Sequence, residues 1–283
     1  TYWELKKANV SSVVELLKLC TSGSHLKPLH FVSSISVLGN APYYRGGDNV
    51  TENVDLRSLI SDAYNSFQQL QGYAQSKFVA ECILRIARSE RKIPVSIFRP
   101  DLICGHSQTG HSNVTEWISR FMCGVVQLKA APRSEVSIGM VPVAFVAQAI
   151  VGITAMTRAK LYAALTTHNA YHLVNVHASE AGRSISVNQL IGYMKSYHGL
   201  GDIQQMDHDQ WESFVKHTAT TQPHNALLPV ISMFEHGFPA STTYSCRNLL
   251  EALKDLPIVC ASVNSETLVH KFIESFRNQG VLL

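Results

Sequence analysis

Apolar and polar positions in this chain follow two periods, and they divide its first half into recognisable elements. Residues 29–39, Leu-His-Phe-Val-Ser-Ser-Ile-Ser-Val-Leu-Gly, open on a short apolar run and end in a serine cluster, the pattern of a buried strand entering a loop. Residues 93–105, Ile-Pro-Val-Ser-Ile-Phe-Arg-Pro-Asp-Leu-Ile-Cys-Gly, repeat it, with Pro100 breaking the strand and Gly105 closing it. Between them, Gly72 to Glu81 starts an amphipathic helix. Val79, Ile83, Leu84, Ile86 and Ala87 form its apolar stripe, and Glu81, Arg85 and Arg88 lie off it. Strand, helix, strand is a βαβ unit, so the expected fold class is α/β with a parallel sheet. In such sheets functional residues collect beyond the carboxyl ends of the strands, which puts Ser34 and the Arg99–Gly105 stretch at one edge.

The flanking patterns fill in the rest. Residues 2–20 read as a helix whose apolar face is Leu5, Val10, Val13, Val14, Leu16, Leu17 and Leu19. Thr21 to Lys27 is a polar turn. Residues 39–70 form a long connection with Pro42 and Gly46-Gly47, in which Leu56 to Leu70 has the composition of a helix. A Gly/Ser/Thr/His-rich loop, His106 to Asn113, follows, then a helix over Val114–Val126 and a strand over Ser137–Val143 that ends at Pro142. Ala144–Met156 is a strongly apolar helix, and Tyr171–Val176 a strand returning to the main sheet. Ser184 or Ser186 can cap a helix over Val187–Tyr197, and the segments beyond Ile203 read as helical. Internal repeats and low-complexity tracts are absent from the sequence.

Tyr73 and Lys77 are the chemical centre. Four apart on a helix, they share a face one turn from each other. An ammonium beside a phenol favours phenolate and lets the phenol pass a proton near neutral pH. Spacing alone is not enough, because Tyr2 and Lys6 share it. Only Tyr73 follows a strand that ends in serines.

Composition narrows the classes. The chain has 283 residues, 46% hydrophobic and 16% charged, with a net charge of +3 that is too small and scattered to argue for nucleic acid or a membrane surface. No apolar run reaches membrane-spanning length and no leader pattern opens the sequence, so a cytoplasmic protein is expected. The six cysteines lack paired spacing and read as reduced small hydrophobes. Asn9, Asn49 and Asn113 begin Asn-x-Ser/Thr triplets that read as chance in such a protein. The thirteen histidines, including the His168/His172/His177 and His106/His111 groups, have no Cys or Glu partner at ligand spacing, so no metal site is expected.

Ser34, Tyr73/Lys77 and Arg99-Pro100-Asp101-Leu102-Ile103-Cys104-Gly105 together resemble the extended short-chain dehydrogenase/reductase superfamily. There a serine or threonine closes one strand, Tyr-x-x-x-Lys follows on a helix, and Arg-Pro-x-x-Ile-x-Gly follows the next strand. Ala8-Asn9-Val10-Ser11-Ser12 is similar to the family's Asn-Val-x-Gly-Thr helix, with Ser12 for Gly and Val13 for Thr. Within the superfamily the chain resembles the thioester reductase, or terminal R, domain of non-ribosomal peptide and polyketide synthases. Residues 32–37, 72–81, Met140-Val141-Pro142-Val143, Asp209-Gln210-Trp211 and Asn225-Ala226-Leu227-Leu228-Pro229 carry that likeness.

The resemblance implies a Rossmann-like, doubly wound parallel sheet with a smaller, mainly helical C-terminal substrate-binding part. Residues 1–180 would be the C-terminal portion of the NAD(P)-binding domain, with a substrate-side insertion at about 106–143, and 181–283 the substrate-binding subdomain. The superfamily's glycine-rich phosphate turn, G-x-G-x-x-G, occurs nowhere in the sequence. The expectation is therefore a partial sheet, its first strands missing along with roughly a hundred N-terminal residues by family proportions.

The implied activity is NADPH-dependent release of an acyl or peptidyl thioester, held on a carrier protein by phosphopantetheine, as an aldehyde or alcohol. Ser34, Tyr73 and Lys77 would be catalytic. Tyr73, Lys77, Pro100, Leu102, Ile103 and Asn9 would contact the cofactor. The same fold also accommodates Dieckmann-type cyclising release without a redox step, a non-catalytic remnant, and enzymes of nucleotide sugars or sterols. The intact Ser-Tyr-Lys set opposes the remnant. Gln75-Ser76 after Tyr73 and the Trp211/Asn225 region lean away from sugars and sterols.

Overall fold

The computed structural model describes residues 1–39, 41, 50–60, 67–155, 169–218, 222, 224–234, 237–238 and 243–282. Pro42, Gly46, Gly47, Asn49, Met156 and His168, and the middle of the helix expected over 56–70, lie outside the described residues. The chain divides into two units, each assembled from three segments. Thr1–Asp101, Val146–Val174 and Thr242–Ile258 make the first, and Leu102–Phe145, Asn175–Ser241 and Val259–Leu283 the second.

The first unit carries the α/β, Rossmann-like core. Three parallel strands lie in the order Leu29–Val32, Val95–Pro100, Ala170–Leu173. Leu29 pairs with Val95 and Val32 with Phe98, while Ile97 pairs with Ala170 and Pro100 with Leu173. All six residues of the central strand are buried, as a strand covered on both faces requires. Leu29–Val32 lies at one edge, and there only Leu29 is buried.

The helix Gly72–Arg91 forms where expected and ends at Lys92, which is in the left-handed region. Its inward face differs from the expected one. Ala74, Phe78, Ala80, Leu84 and Ala87 are buried together with Ser76 and Glu81, whereas Ile86 is exposed. Ala80, Leu84 and Ala87 pack with Val13, Cys20, Leu29, Val95, Ile97 and Ala170. Burial of a side chain such as Leu84 contributes about 2 kcal/mol. Glu81 shares this face because a strand residue, Arg99, supplies its counter-charge.

The helix expected over residues 2–20 is three pieces: Tyr2–Lys6 and Ser12–Thr21 are α-helical, and Lys7–Ser11 is a π-turn between them. A π-turn holds more residues per turn and rotates the face that follows it. Val10, Val13 and Cys20 face inward, while Val14, Leu16 and Leu19, expected on the apolar face, are exposed.

The second unit has its own core. Phe121, Trp211, Phe234 and Phe238 interlock, with Phe121 ring centroids 6.0, 5.6 and 5.2 Å from the other three. Trp211 Nε1 donates to the Ala130 carbonyl. The strand expected over 137–143 is two strands. Ser137–Gly139 runs antiparallel to Ser184–Ser186, and Val141–Pro142 parallel to Ile103–Cys104. A further strand, Gln204–Met206, pairs with Ala130–Pro132 inside the stretch expected to be helical. It is short and polar, and its partner lies more than seventy residues earlier, so no local period marks it. The helix Val187–Ser196 is capped by Ser186 in a capping box with Gln189. The loop from His106 folds onto the helix Glu266–Asn278 through Gly110, whose φ is +70° and where a Cβ would lie 2.1 Å from the Lys271 carbonyl oxygen.

All six thiols are free. Burial pushes Cys104 and Cys123 up to about 12 and Cys82 and Cys260 up to about 11, which keeps them protonated and unreactive.

Candidate active site

The first unit places Tyr73 and Lys77 by close backbone packing. At Gly72 the start of the chain passes so near that a Cβ would lie 2.5 Å from the Thr1 carbonyl carbon and the Tyr2 nitrogen. Only glycine fits, and Tyr73 follows at once.

From the next turn, Lys77 reaches the carboxyl end of the edge strand. Its Nζ donates to the Val32 carbonyl at 3.0 Å, and stands 4.9 Å from the Phe31 ring centroid and 5.9 Å from that of Tyr73. One ammonium thus links the strand end that precedes Ser34 to the Tyr73 ring. Burial pulls the Lys77 pKa down, and the Glu81 carboxylate one turn further along the helix partly offsets this. Tyr73 is 45% exposed, so its ring can meet a ligand.

Ser34 ends the extended backbone and caps a 3-10 turn, Ile35–Leu38. Its Oγ accepts from the Ser36 backbone N–H at 3.2 Å and from the Ser36 hydroxyl at 2.9 Å. The neighbouring Ser33 hydroxyl is buried with no hydrogen-bond partner among the described residues. The other nominated residues take several positions. Asn9 Nδ2 donates to Ser76 Oγ at 2.9 Å, and Ser76 Oγ donates to the Tyr73 carbonyl at 2.7 Å. Asn9 therefore braces the turn that carries Tyr73. Pro100 is the buried last residue of the central strand. Leu102 and Ile103 belong to the second unit, where the Leu102 carbonyl accepts from Val141 N–H and Ile103 pairs with Val141.

A buried charged network lies behind the Tyr73 helix, and periodicity gave no sign of it. Arg99 and Glu81 are fully buried and joined through two guanidinium nitrogens, Nε–Oε1 at 3.0 Å and Nη2–Oε2 at 2.7 Å. Arg99 Nη1 donates to the Glu52 carbonyl oxygen and to His172 Nε2. Because arginine only donates, His172 Nε2 is the acceptor, and Nδ1–H donates to the Ser245 carbonyl at 2.7 Å. Burial and the Arg99 charge push His172 down to about 3, so it is neutral. The Glu52 carboxylate accepts from the backbone N–H groups of His172, Asn248 and Leu249, and burial raises its pKa. An arginine inside an otherwise apolar strand was the available signal, since a fully buried charge demands a carboxylate.

Two other polar groups have structural roles. Asn225 accepts from Leu227 N–H and donates to the Gly124 carbonyl, which fixes the chain beside the aromatic core of the second unit. Ser196, His270 and Glu266 cluster in the same unit, but His270 Nε2 lies 3.0 Å from the Tyr193 carbonyl. The Nε2 proton is committed to that carbonyl, so this nitrogen cannot act as a base toward Ser196. Among the described residues no His, Cys, Asp or Glu group has the geometry to hold a metal ion, and no helix is long and apolar enough to cross a membrane.

Residues 1–150 match the family described as male sterility protein, a family of NAD-binding domains. The chain is 31% identical to the L-2-aminoadipate reductase large subunit of Eremothecium gossypii, across 99% of the chain and 20% of that protein. It is 27% identical to a linear gramicidin synthase of Brevibacillus parabrevis, across 99% of the chain and 5% of that protein. Among solved structures, the terminal R domain from the myxalamid PKS-NRPS biosynthetic pathway superposes with a TM-score of 0.78 at 29% identity, covering 99% of this chain and 65% of that one. The chain therefore spans one fifth or less of these two curated relatives and about two thirds of the solved domain.

Proposed function

This chain belongs to the male sterility/thioester reductase family of NAD-binding domains, and from that premise we propose that it provides the proton-transfer half of an NADPH-dependent reductive release site. The substrate is an acyl or peptidyl thioester on the phosphopantetheine arm of a carrier protein. The product is an aldehyde, or an alcohol after a second round. The observation that carries the reading is Lys77, whose ammonium joins the carboxyl end of strand Leu29–Val32 to the Tyr73 ring.

Bound NADPH supplies the hydride that reduces the thioester carbonyl carbon. The residues of this chain do the rest. Ser34 donates a hydrogen bond to the carbonyl oxygen, where negative charge grows; one such donor is worth about 3 kcal/mol. Tyr73 gives that oxygen its proton, leaving a hemithioacetal. The hemithioacetal then loses its hydroxyl proton and breaks its C–S bond, freeing the aldehyde and the carrier thiol. Lys77 stabilises the phenolate left on Tyr73 and presents N–H groups to the nicotinamide ribose. A half-buried ammonium and a partly exposed phenol on one helix face fit that end of the cofactor. Pro100, Leu102 and Ile103 are assigned to the carboxamide through their backbone, and Asn9 to support of the Tyr73 turn. Among the described residues no strand pairs on the outer side of Leu29–Val32, where Val32 is 45% exposed, and the reading assigns that side to the cofactor-holding strands that the family resemblance implies.

Calorimetric titration with NADPH tests the reading, on this chain and on the full-length polypeptide that carries it, together with NADPH oxidation by octanoyl-coenzyme A as a thioester probe. The full polypeptide is expected to bind NADPH and to release octanal or octanol. Failure of both forms to bind overturns the reading. A cyclised product formed from the native carrier-bound substrate without NADPH consumption would establish cyclising release in its place.

The state of Lys77 sets a pH dependence. Its charged form supports the Tyr73 phenolate, and burial lowers its pKa. The charge is therefore lost at a lower pH than for an ordinary lysine, and kcat should fall with rising pH on a limb below the ordinary lysine range. A profile that stays flat up to that range would remove Lys77 from the mechanism.

A further inference from the structure

The hydrogen bonds around Ser34 assign a task to a residue outside the Ser-Tyr-Lys set. A serine hydroxyl has two lone pairs and one proton. At Ser34 two donors approach the oxygen, the Ser36 backbone N–H at 3.2 Å and the Ser36 hydroxyl at 2.9 Å. Both lone pairs are then used, and what remains to Ser34 is its proton. We propose that Ser36 is a positioning residue that makes Ser34 an obligate hydrogen-bond donor, aimed at the carbonyl oxygen of the substrate. This rests on the role given to Ser34 under the proposed function.

The arrangement does two things. It removes the rotamers in which Ser34 would accept from the substrate or from water. It also forms a chain, Ser36 O–H to Ser34 O–H to carbonyl oxygen, in which each bond polarises the next and strengthens donation as charge develops. The backbone supports this geometry. Ser34 is extended, with φ −153° and ψ 150°, and the 3-10 turn Ile35–Leu38 begins at the next residue, which brings the Ser36 N–H and hydroxyl back over the Ser34 oxygen. Ile35, Val37 and Leu38 are buried and anchor the turn, so Ser36 is held without depending on its own hydroxyl. Replacing that hydroxyl therefore alters the Ser34 environment and leaves the turn in place.

The test is a double-mutant cycle in the full-length polypeptide, with NADPH and octanoyl-coenzyme A as probes. Ser36→Ala is expected to lower kcat about tenfold, the loss of one oriented hydrogen bond, with KM for the thioester within about twofold and the melting temperature unchanged. Ser36→Thr, which restores a hydroxyl, should recover most of the loss. In a Ser34→Ala background the Ser36→Ala change should have no further effect, because the oxygen it orients is gone. Equal loss from Ser36→Ala in both backgrounds overturns the proposal, as does failure of threonine to rescue. Should Ser34→Ala itself leave kcat intact, the assignment of Ser34 fails and Ser36 falls with it. A Ser34→Ala defect without any Ser36→Ala defect rejects Ser36 alone.

Discussion

Tyr73→Phe should lower kcat for thioester reduction by roughly a hundredfold to ten-thousandfold, the range for a positioned general acid, while NADPH affinity changes little. The change removes one oxygen and keeps the ring, so the packing of the helix start against Thr1 and Tyr2 at Gly72 is preserved. Lys77 also keeps its anchor on the Val32 carbonyl and its place over Phe31. What disappears is the proton that neutralises the developing alkoxide. The ring is 45% exposed and not a core residue, so the fold should tolerate the change. Single-turnover measurement with octanoyl-coenzyme A separates this chemistry from product release, and calorimetry reports cofactor binding. A kcat within threefold or so of the parent's would dismiss Tyr73 as the acid. The cyclising reading would then move ahead, because that chemistry requires no proton donor to a reduced carbonyl. The Tyr2/Lys6 pair serves as an internal control. Tyr2→Phe has the same spacing context on a helix but no strand end beside it, and it should leave kcat unchanged.

The parts of this structure that the sequence made legible are those set by short-range periodicity. A run such as Val95–Pro100, all six residues of which are buried, is the pattern of a covered parallel strand, whereas its register on the preceding strand, Val32↔Phe98, has no mark in either run. The helix from Gly72 is equally plain, and so is a strand near Tyr171 returning to the main sheet, which the structure places at Ala170–Leu173; of the two caps the sequence offers, Ser184 and Ser186, the structure uses Ser186. Long-range charge was not legible. Glu81 looks like a solvent-facing residue one position off the apolar stripe, and its burial depends on Arg99 eighteen residues later and on Glu52 and His172, which no local pattern connects to it. The π-turn Lys7–Ser11 was hidden for a similar reason. Nothing in Lys-Ala-Asn-Val-Ser marks an extra residue in the turn, yet it decides which of Val13 and Val14 faces the core. Of the candidate site, Lys77 and Tyr73 were visible as a pair on one helix face. The bond from Lys77 to the Val32 carbonyl and the double donation from Ser36 to Ser34 have no sequence signal, because both depend on how a strand end meets a helix or a turn.

Glu81→Gln should destabilise the first unit by about 3–5 kcal/mol, the cost of leaving a buried charge unpaired. Arg99 is held at zero exposure by both oxygens of this carboxylate; neutral His172 offers it no charge, and Glu52 meets it through its backbone carbonyl, its own carboxylate acting on Arg99 only across space. Arg85 lies within electrostatic range of the same carboxylate, and its Nε and Nη2 have no hydrogen-bond partner among the described residues. Glu81 therefore answers two guanidinium groups. Removing it takes from Arg99 its only ion-pair partner among the described residues and from Arg85 one of its two nearby carboxylates, Asp55 being the other, whereas Arg99→Met leaves Glu81 within range of the Arg85 and Lys77 cations and should cost less. The order of the two losses is the sharper part of the expectation, since a simple pair would lose similar amounts from either side. Urea denaturation measures both: the midpoint should fall furthest for Glu81→Gln, with the slope unchanged. A loss below about 1 kcal/mol, the range of an exposed pair, would mean that water reaches Arg99 and that the network does not brace the Tyr73 helix. The catalytic consequence follows from position. Glu81 is one turn beyond Lys77 on the same helix and supports its ammonium. At temperatures where the Glu81→Gln protein is still folded, the alkaline limb of its kcat profile should therefore shift further toward neutral pH.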